Sequence, residues 1–288
     1  MTFGGVSGLL SVVIPALNSA STIGLTLSSV FSSSFPRELF EVLVVDNGSS
    51  DGTVEVAQRF PVRVERCAER GIGPPRNVGI KMARGSIVCL TDSDCVVEED
   101  WLGKIWGFFE KHSDADGVGG PVFPYPVSQN KIQRLTGELF VEDQGYPSSI
   151  RKVRFGSMSG MIFGSNSAYK KDAVRSAGGY SEPGGSNLEL AWRLACLRRN
   201  LFFDPEIRVS HIFPSNLKGI FRQQFRWGAQ STHMKRMYHL DNRAKEIVFI
   251  SCFLVRRLLS LVSPDDRKLL HFFQMASYSF GRVYGLRL

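Results

Sequence analysis

Cysteine is scarce in this sequence, and its placement does not suggest pairing. The five residues, Cys67, Cys89, Cys95, Cys196 and Cys252, are odd in number, and no two sit two or three positions apart as zinc or redox pairs do. A disulfide-stapled miniprotein is excluded, and reduced, mostly buried thiols in a cytosolic protein are expected. Long apolar runs are also missing. The best one, Ile247 to Val262, contains Arg256 and Arg257. A spanning helix needs about 20 apolar residues, and a central Arg costs roughly 2.5–3.5 kcal/mol. That run therefore reads as a helix lying in an interface or packed on the body. No secretory leader is expected, because the first basic residue is Arg37 and the early run Leu9 to Leu17 holds Pro15. The sequence shows no internal repeat and no low-complexity tract. With 43% apolar and 22% charged residues over 288 positions, it has ordinary globular composition and the length to bury a core, which excludes disorder and collagen.

The net charge of +8 is unevenly placed. From Met1 to Ile207, 21 Lys and Arg face 23 Asp and Glu, whereas from Arg208 to Leu288, 14 face 4. A near-neutral body followed by a basic tail points to an anionic surface. The excess of Phe, Leu and Ile in the tail, with no recognised module, favours lipid or protein over nucleic acid, which is not expected as a partner.

The first half alternates β-rich runs with helical patterns in the rhythm of a parallel α/β sheet. Strands are expected at Ser11–Pro15, Phe40–Asp46, Val62–Arg66 and Ser86–Asp92, with helices near 19–32, 51–59, 74–84 and from Glu98. Near-continuous apolar strands such as VLVV imply a sheet covered on both faces. Ligands collect at the carboxyl ends of such strands, which singles out Pro15, Asp46 and the segment Asp92–Asp94. Further helices are expected at 129–143, 171–177, 187–199, 217–240, 243–262 and 265–284.

Thr91–Asp94 reads TDSD. Carboxylates at i and i+2 leaving a strand point to the same side, so Asp92 and Asp94 can reach one hard divalent cation, Mn²⁺ or Mg²⁺, that bridges a nucleotide diphosphate. Taken alone, the pattern also serves as an ordinary turn. In VVDNGSSDGT, Asp46 can accept from a base N–H or a ribose hydroxyl, while Ser50 or Asp51 caps the following helix. GIGPPRNVG nearly matches a dinucleotide fingerprint, but Arg76 stands where the third glycine belongs, which excludes nicotinamide and flavin binding. Arg76 is a phosphate or base contact on one reading and a surface ion pair on the other.

The order of these motifs resembles the family-two glycosyltransferases with the GT-A fold. VVIPALN (Val12–Asn18), VVDNGSSDGT, the Arg-Asn-x-Gly of Arg76–Gly79 and TDSD match, as do GSNSAYKKDAVRSAGGYSE (Gly164–Glu182), LELAWRL (Leu188–Leu194), the Val-x-His ending in His211, and QQFRW (Gln223–Trp227). The resemblance implies a Rossmann-like, mostly parallel central sheet with helices on both faces in residues 1–212. A basic, amphipathic helical tail in 213–288 then serves the acceptor side or a membrane surface.

By the same resemblance, Pro15, Ala16, Asn18 and Asp46 form the nucleoside pocket beside Arg76. Asp92 and Asp94 hold the metal, with Asp94 the direct ligand, and His211 approaches metal or diphosphate. Ser93, Asn166, Gln223, Arg226 and Trp227 complete the substrate-binding set, although Phe221, Phe225 and Trp227 also suit a helix packing face. The implied partners are a nucleotide-diphospho-sugar donor and a sugar, polysaccharide or polyprenyl-linked acceptor. The implied place is peripheral, at the cytoplasmic face of the cell membrane. Pro121–Phe155 is expected as the variable acceptor-side segment.

One departure stands out. The family usually carries Glu-Asp before x-Glu-Leu, the Asp acting as base toward the acceptor hydroxyl, and here Ser186 and Asn187 take those places. Asn187 cannot accept a proton in a catalytic step. Three readings follow: Glu189 substitutes as base, the reaction retains configuration without such a base, or the chain binds donor without turnover.

Overall fold

The computed structural model describes residues 2–3, 6–126, 130–153, 162–181, 187–237 and 265–285, with the side chains of all of these except 2–3, 6–7, 187–188, 233–237 and 284–285. Two compact units are present, Met1–Tyr125 with Gln144–Ile212, and Pro126–Asp143 with Phe213–Leu288. Residues 126–143, which chain order alone groups with the first 212, belong to the second unit.

In the first unit, a short antiparallel pair, β1 (Thr2–Phe3) and β2 (Val6–Ser7), precedes β3 (Leu10–Ala16), α1 (Ile23–Phe31), β4 (Phe40–Asp46), α2 (Thr53–Ala57), β5 (Arg63–Arg66), α3 (Gly73–Met82) and β6 (Ile87–Leu90). Then come β7 (Cys95–Val97), α4 (Trp101–Lys111), β8 (Gly117–Gly119) and β9 (Val122–Pro124). After α5 (Lys131–Gln144), whose residues 131–143 belong to the second unit, the first unit continues with β10 (Arg151–Lys152), β11 (Ser167–Lys170), α6 (Lys171–Ser176), α7 (Asn187–Cys196), β12 (Leu201–Phe203) and β13 (Val209–His211). Helices α8 (Leu217–Met237) and α9 (Asp266–Gly285) follow in the second unit.

Eight strands form the central sheet in the order β10-β12-β8-β11-β6-β3-β4-β5. The β6-β3-β4-β5 half is parallel throughout, while β11 runs antiparallel to both β6 and β8. A smaller sheet orders β7-β13-β9. Period-two alternation divides the core between the two faces of the large sheet. Leu10, Val12, Ile14 and Ala16 face Ile23, Leu27 and Val30 of α1 and the apolar stripe Trp101, Leu102, Ile105, Phe108 and Phe109 of α4. Val13, Leu43 and Val45 face Ile80 of α3 and Val174, Leu190 and Leu194 of α6 and α7. Glycine at position 79 lets α3 lie directly on β3, since a Cβ there would meet Val13 Cγ1 at 2.2 Å.

The second unit is held by a helix crossing. A Cβ at Gly228 of α8 would meet the Tyr278 carbonyl oxygen at 2.0 Å, and one at Gly281 of α9 would meet that of Phe225 at 1.9 Å, so backbone rests on backbone. Ion pairs tie α9 to α5, Lys131 to Asp266 and Arg267 to Glu138 and Glu142, and His271 Nε2 lies 3.2 Å from Asp143 Oδ2. No helix among the described residues is long and apolar enough to cross a membrane. Ile247–Val262 and the helix expected at 243–262 lie outside the described residues. Cys67, Cys89 and Cys95 are buried and Cys196 is exposed, none of them in a disulfide, and Cys252 lies outside the described residues.

Candidate functional site

The loops at the carboxyl ends of β3, β4 and β6 are joined by side-chain hydrogen bonds. Asp46 closes β4, and its carboxylate accepts from the amides of Gly48 (3.2 Å) and Ser49 (3.1 Å), folding the turn back on itself. Asn18 adopts φ +50°, a conformation that Asn tolerates better than most residues. From there its amide donates to Ser49 Oγ and its Oδ1 accepts from the Ser50 amide, both at 2.9 Å. Asp51 accepts from the Thr53 amide at 3.1 Å, but Gly52 is the N-cap of α2 and no side chain caps it, so neither Ser50 nor Asp51 takes the expected capping place. The Ser19 amide donates to Thr53 Oγ1 at 2.7 Å, and the buried Ser19 and Ser93 hydroxyls share a 2.7 Å hydrogen bond. Ser93, in the middle of TDSD, is thereby fixed to the starts of α1 and α2. Pro15 and Ala16 end β3 beside them, Ala16 buried.

The two carboxylates of TDSD take different partners. Arg76, 4% exposed near the start of α3, donates to Asp92 Oδ1 at 2.5 Å and to the Ile72 carbonyl at 3.0 Å. Its buried Nε meets no acceptor among the described residues. The guanidinium also lies 5.7 Å from the Tyr180 ring centroid. Burial pushes the Tyr180 phenol up, so the ring stays neutral there. Asp94 instead places Oδ2 3.3 Å from His211 Nε2. Asp92 Oδ1 thus pairs with Arg76, while Asp94 faces His211. The reason is local: β6 ends at Leu90, and the Cys95 amide turns back to the Asp92 carbonyl, so strand periodicity no longer governs positions 92–94.

His211 lies on β13, directly opposite Cys95 of β7. Asp94, Cys95 and His211 offer one oxygen, one sulfur and one nitrogen, all within 4.8 Å of one another. Cys95 was legible in the sequence only as a buried thiol, because the pairing that sets it against His211 joins strands far apart in the chain. Burial, with the charges of Asp94 and Asp92 beside it, pushes that thiol well above its ordinary value. Asp94 and His211 are a fit for a divalent cation, since neighbouring oxygen and nitrogen ligands at bond lengths of about 2.0–2.2 Å stand about 3 Å apart.

Two of the expected site residues make extensive structural contacts. Asn166 is fully buried: its Oδ1 accepts from Trp101 Nε1 at 3.0 Å, and its Nδ2 donates to the carbonyls of Pro121 (2.9 Å) and Ile207 (2.7 Å), so it faces protein rather than substrate. Glu189, 1% exposed, is gripped at both oxygens by Arg193 (2.6 and 2.8 Å), which also donates to the carbonyls of Ala177 and Gly179. That carboxylate braces α7 against the end of α6. Asn187 begins α7, and its side chain, like Ser186, lies outside the described set. In the second unit, α8 carries Gln223 buried, with Oε1 accepting no hydrogen bond from a described residue, Arg226 exposed, and Trp227 6.0 Å from the Phe140 ring.

The model of "Glycosyl transferase family 2" matches residues 11–178. Glycosyltransferase AglE of Haloferax volcanii is 37% identical over 131 residues, 43% of this chain and 43% of that protein. A glucosyl-dolichyl phosphate glucuronosyltransferase of the same organism is 25% identical over 299 residues, 91% of this chain and 90% of the relative. The chain spans about half the length of the first curated relatives it matches. Among solved structures, the mannosyltransferase PcManGT from Pyrobaculum calidifontis, in complex with GDP-Man and Mn²⁺, aligns with TM-score 0.69 at 16% identity, covering 99% of this chain and 90% of that one. The fold is therefore the GT-A fold. As the family match takes in more than half of the 288 residues, the chain belongs to glycosyl transferase family 2.

Proposed function

We propose that this chain is a metal-dependent glycosyltransferase that moves a sugar from a nucleotide diphosphate to a hydroxyl or lipid-linked acceptor. The observation that carries the reading is the Asp94–His211 pair, 3.3 Å apart, beside the Arg76–Asp92 pair at the carboxyl ends of the parallel strands. Pro15, Ala16, Asn18 and Asp46 hold the nucleoside. Asp46 Oδ1, which accepts one turn amide, keeps a lone pair for a base N–H or ribose hydroxyl. Arg76 orients Asp92 and keeps its positive charge beside the donor's anionic groups. Ser93, tied to Ser19, fixes the loop that aims both carboxylates. Asp94 and His211 would hold Mn²⁺ or Mg²⁺, which when bound neutralises charge developing on the departing nucleotide diphosphate. Gln223, Arg226 and Trp227, all on α8, are assigned to substrate binding by the family resemblance.

A thermal-shift panel of UDP, GDP, CDP and dTDP with their sugars, in Mn²⁺, Mg²⁺ or chelator, tests this. Ligand at 100 times its dissociation constant stabilises by about 2.7 kcal/mol. One nucleotide should raise the melting temperature only with metal, and not in Asp94→Ala. No shift with any nucleotide would remove the reading.

The Asn at 187 and the engagement of Glu189 favour a second reading, a donor-binding chain that turns over slowly or not at all. Product assays with the donor found above separate the two, and proton NMR of the anomeric coupling gives the stereochemical course. The basic excess after Arg208 supports peripheral attachment at the cytoplasmic membrane face, at roughly 1 kcal/mol per basic residue near anionic lipid. Sedimentation with anionic vesicles that survives both high salt and Arg256→Glu/Arg257→Glu would count against it.

A further inference from the structure

The cluster at β7 and β13 holds one donor that the proposed transfer does not use. Cys95 and His211 are cross-strand partners in the antiparallel register, which puts their side chains on one face of the ribbon. Asp94 precedes Cys95, with Oδ1 3.8 Å from Sγ and Oδ2 3.3 Å from His211 Nε2. All three donor atoms lie within 4.8 Å of one another, whereas ligands on one tetrahedral cation stand about 3–3.8 Å apart at zinc bond lengths, so side-chain shifts of about 1 Å close the set. Oxygen and imidazole suit Mn²⁺, and oxygen suits Mg²⁺; adding sulfur selects thiophilic cations. Resting on the cation site proposed above, we propose that Cys95 is a third ligand reserved for such cations. Zn²⁺ binds through Asp94, Cys95 and His211 more tightly than Mn²⁺ does, and so displaces the ion that the donor needs. On binding, the Cys95 S–H bond breaks, an S–Zn bond forms and one proton passes to solvent.

The test uses the full chain and metals alone. Zn²⁺ and Mn²⁺ are titrated by calorimetry in buffers of different ionisation enthalpy, which counts released protons, and Co²⁺ is added as a spectroscopic substitute for Zn²⁺. Expected are a thiolate-to-cobalt charge-transfer band in the native protein, its loss in Cys95→Ser, and Zn²⁺ affinity lowered about tenfold or more in that variant. Mn²⁺ affinity should change far less. Should a buried serine hydroxyl prevent folding, Cys95→Ala serves in its place. A native protein without the band, or Zn²⁺ affinity equal in native and folded variant, overturns the proposal. If the band and its loss are seen but Mn²⁺ supports no nucleotide binding, the Cys95 site stands and the donor reading fails.

Discussion

Asn166→Ala separates a structural role from a substrate contact. The native side chain serves the Trp101 indole of α4, the Pro121 carbonyl between β8 and β9, and the Ile207 carbonyl ahead of β13, with Asn166 and Trp101 fully buried. Pro121 keeps a bond from the Val209 amide, so the variant strands chiefly the Trp101 N–H and the Ile207 oxygen. An orphaned buried polar group costs about 1–3 kcal/mol, which gives roughly 2–6 kcal/mol in all. For a chain of this size that is a fall in melting temperature of roughly 10 °C. Differential scanning calorimetry reads the loss, and donor affinity measured below the transition should match that of the native chain. A variant that melts like the native protein but has lost donor affinity would refute the reasoning and return Asn166 to the substrate.

Glu189→Gln removes the charge that grips Arg193. Breaking such a buried pair costs about 3–5 kcal/mol, so stability should fall while any product still forms in the folded fraction. Unchanged melting with abolished turnover would instead mark Glu189 as the base. Gly228→Ala and Gly281→Ala each press a methyl group into a carbonyl and should cost at least 1–3 kcal/mol. Hydrogen exchange should then accelerate in α8 and α9 and stay unchanged in β3, β4 and β6. Hydrogen bonds from the Thr53 hydroxyl and the Ala20 amide hold the Asp51 carboxyl below its usual value. Its stabilising contribution is therefore present at neutral pH and disappears as pH falls through the carboxylate range. Asp51→Ala should flatten that acid limb in pH-dependent melting, and an unaltered limb would assign it to other carboxylates.

Local pattern determined a good deal of this protein. The runs Leu10–Ala16 and Phe40–Asp46 are apolar at most positions on both faces, with Ser11, Glu41 and Asp46 the exceptions, which points to a sheet covered on two sides. The turn signal at Asn47–Gly52 and the Pro-Pro start of α3 fixed where chains reverse and helices begin. Because ligand-facing loops of such a sheet follow its strands, Asp46 and the TDSD segment were legible as neighbours from chain order, and Arg76 only through the family resemblance. Which partner each side chain takes was not, because partners come from distant segments. Only the β13–β7 register sets His211 against Cys95, and only the packing of α3 presents Arg76 to Asp92. Asn166 and Glu189 sit in motifs that read as functional, yet burial and saturated hydrogen bonding turn both into braces. The α8–α9 crossing is likewise invisible in sequence. Two glycines 53 positions apart carry no periodic signal until the helices meet.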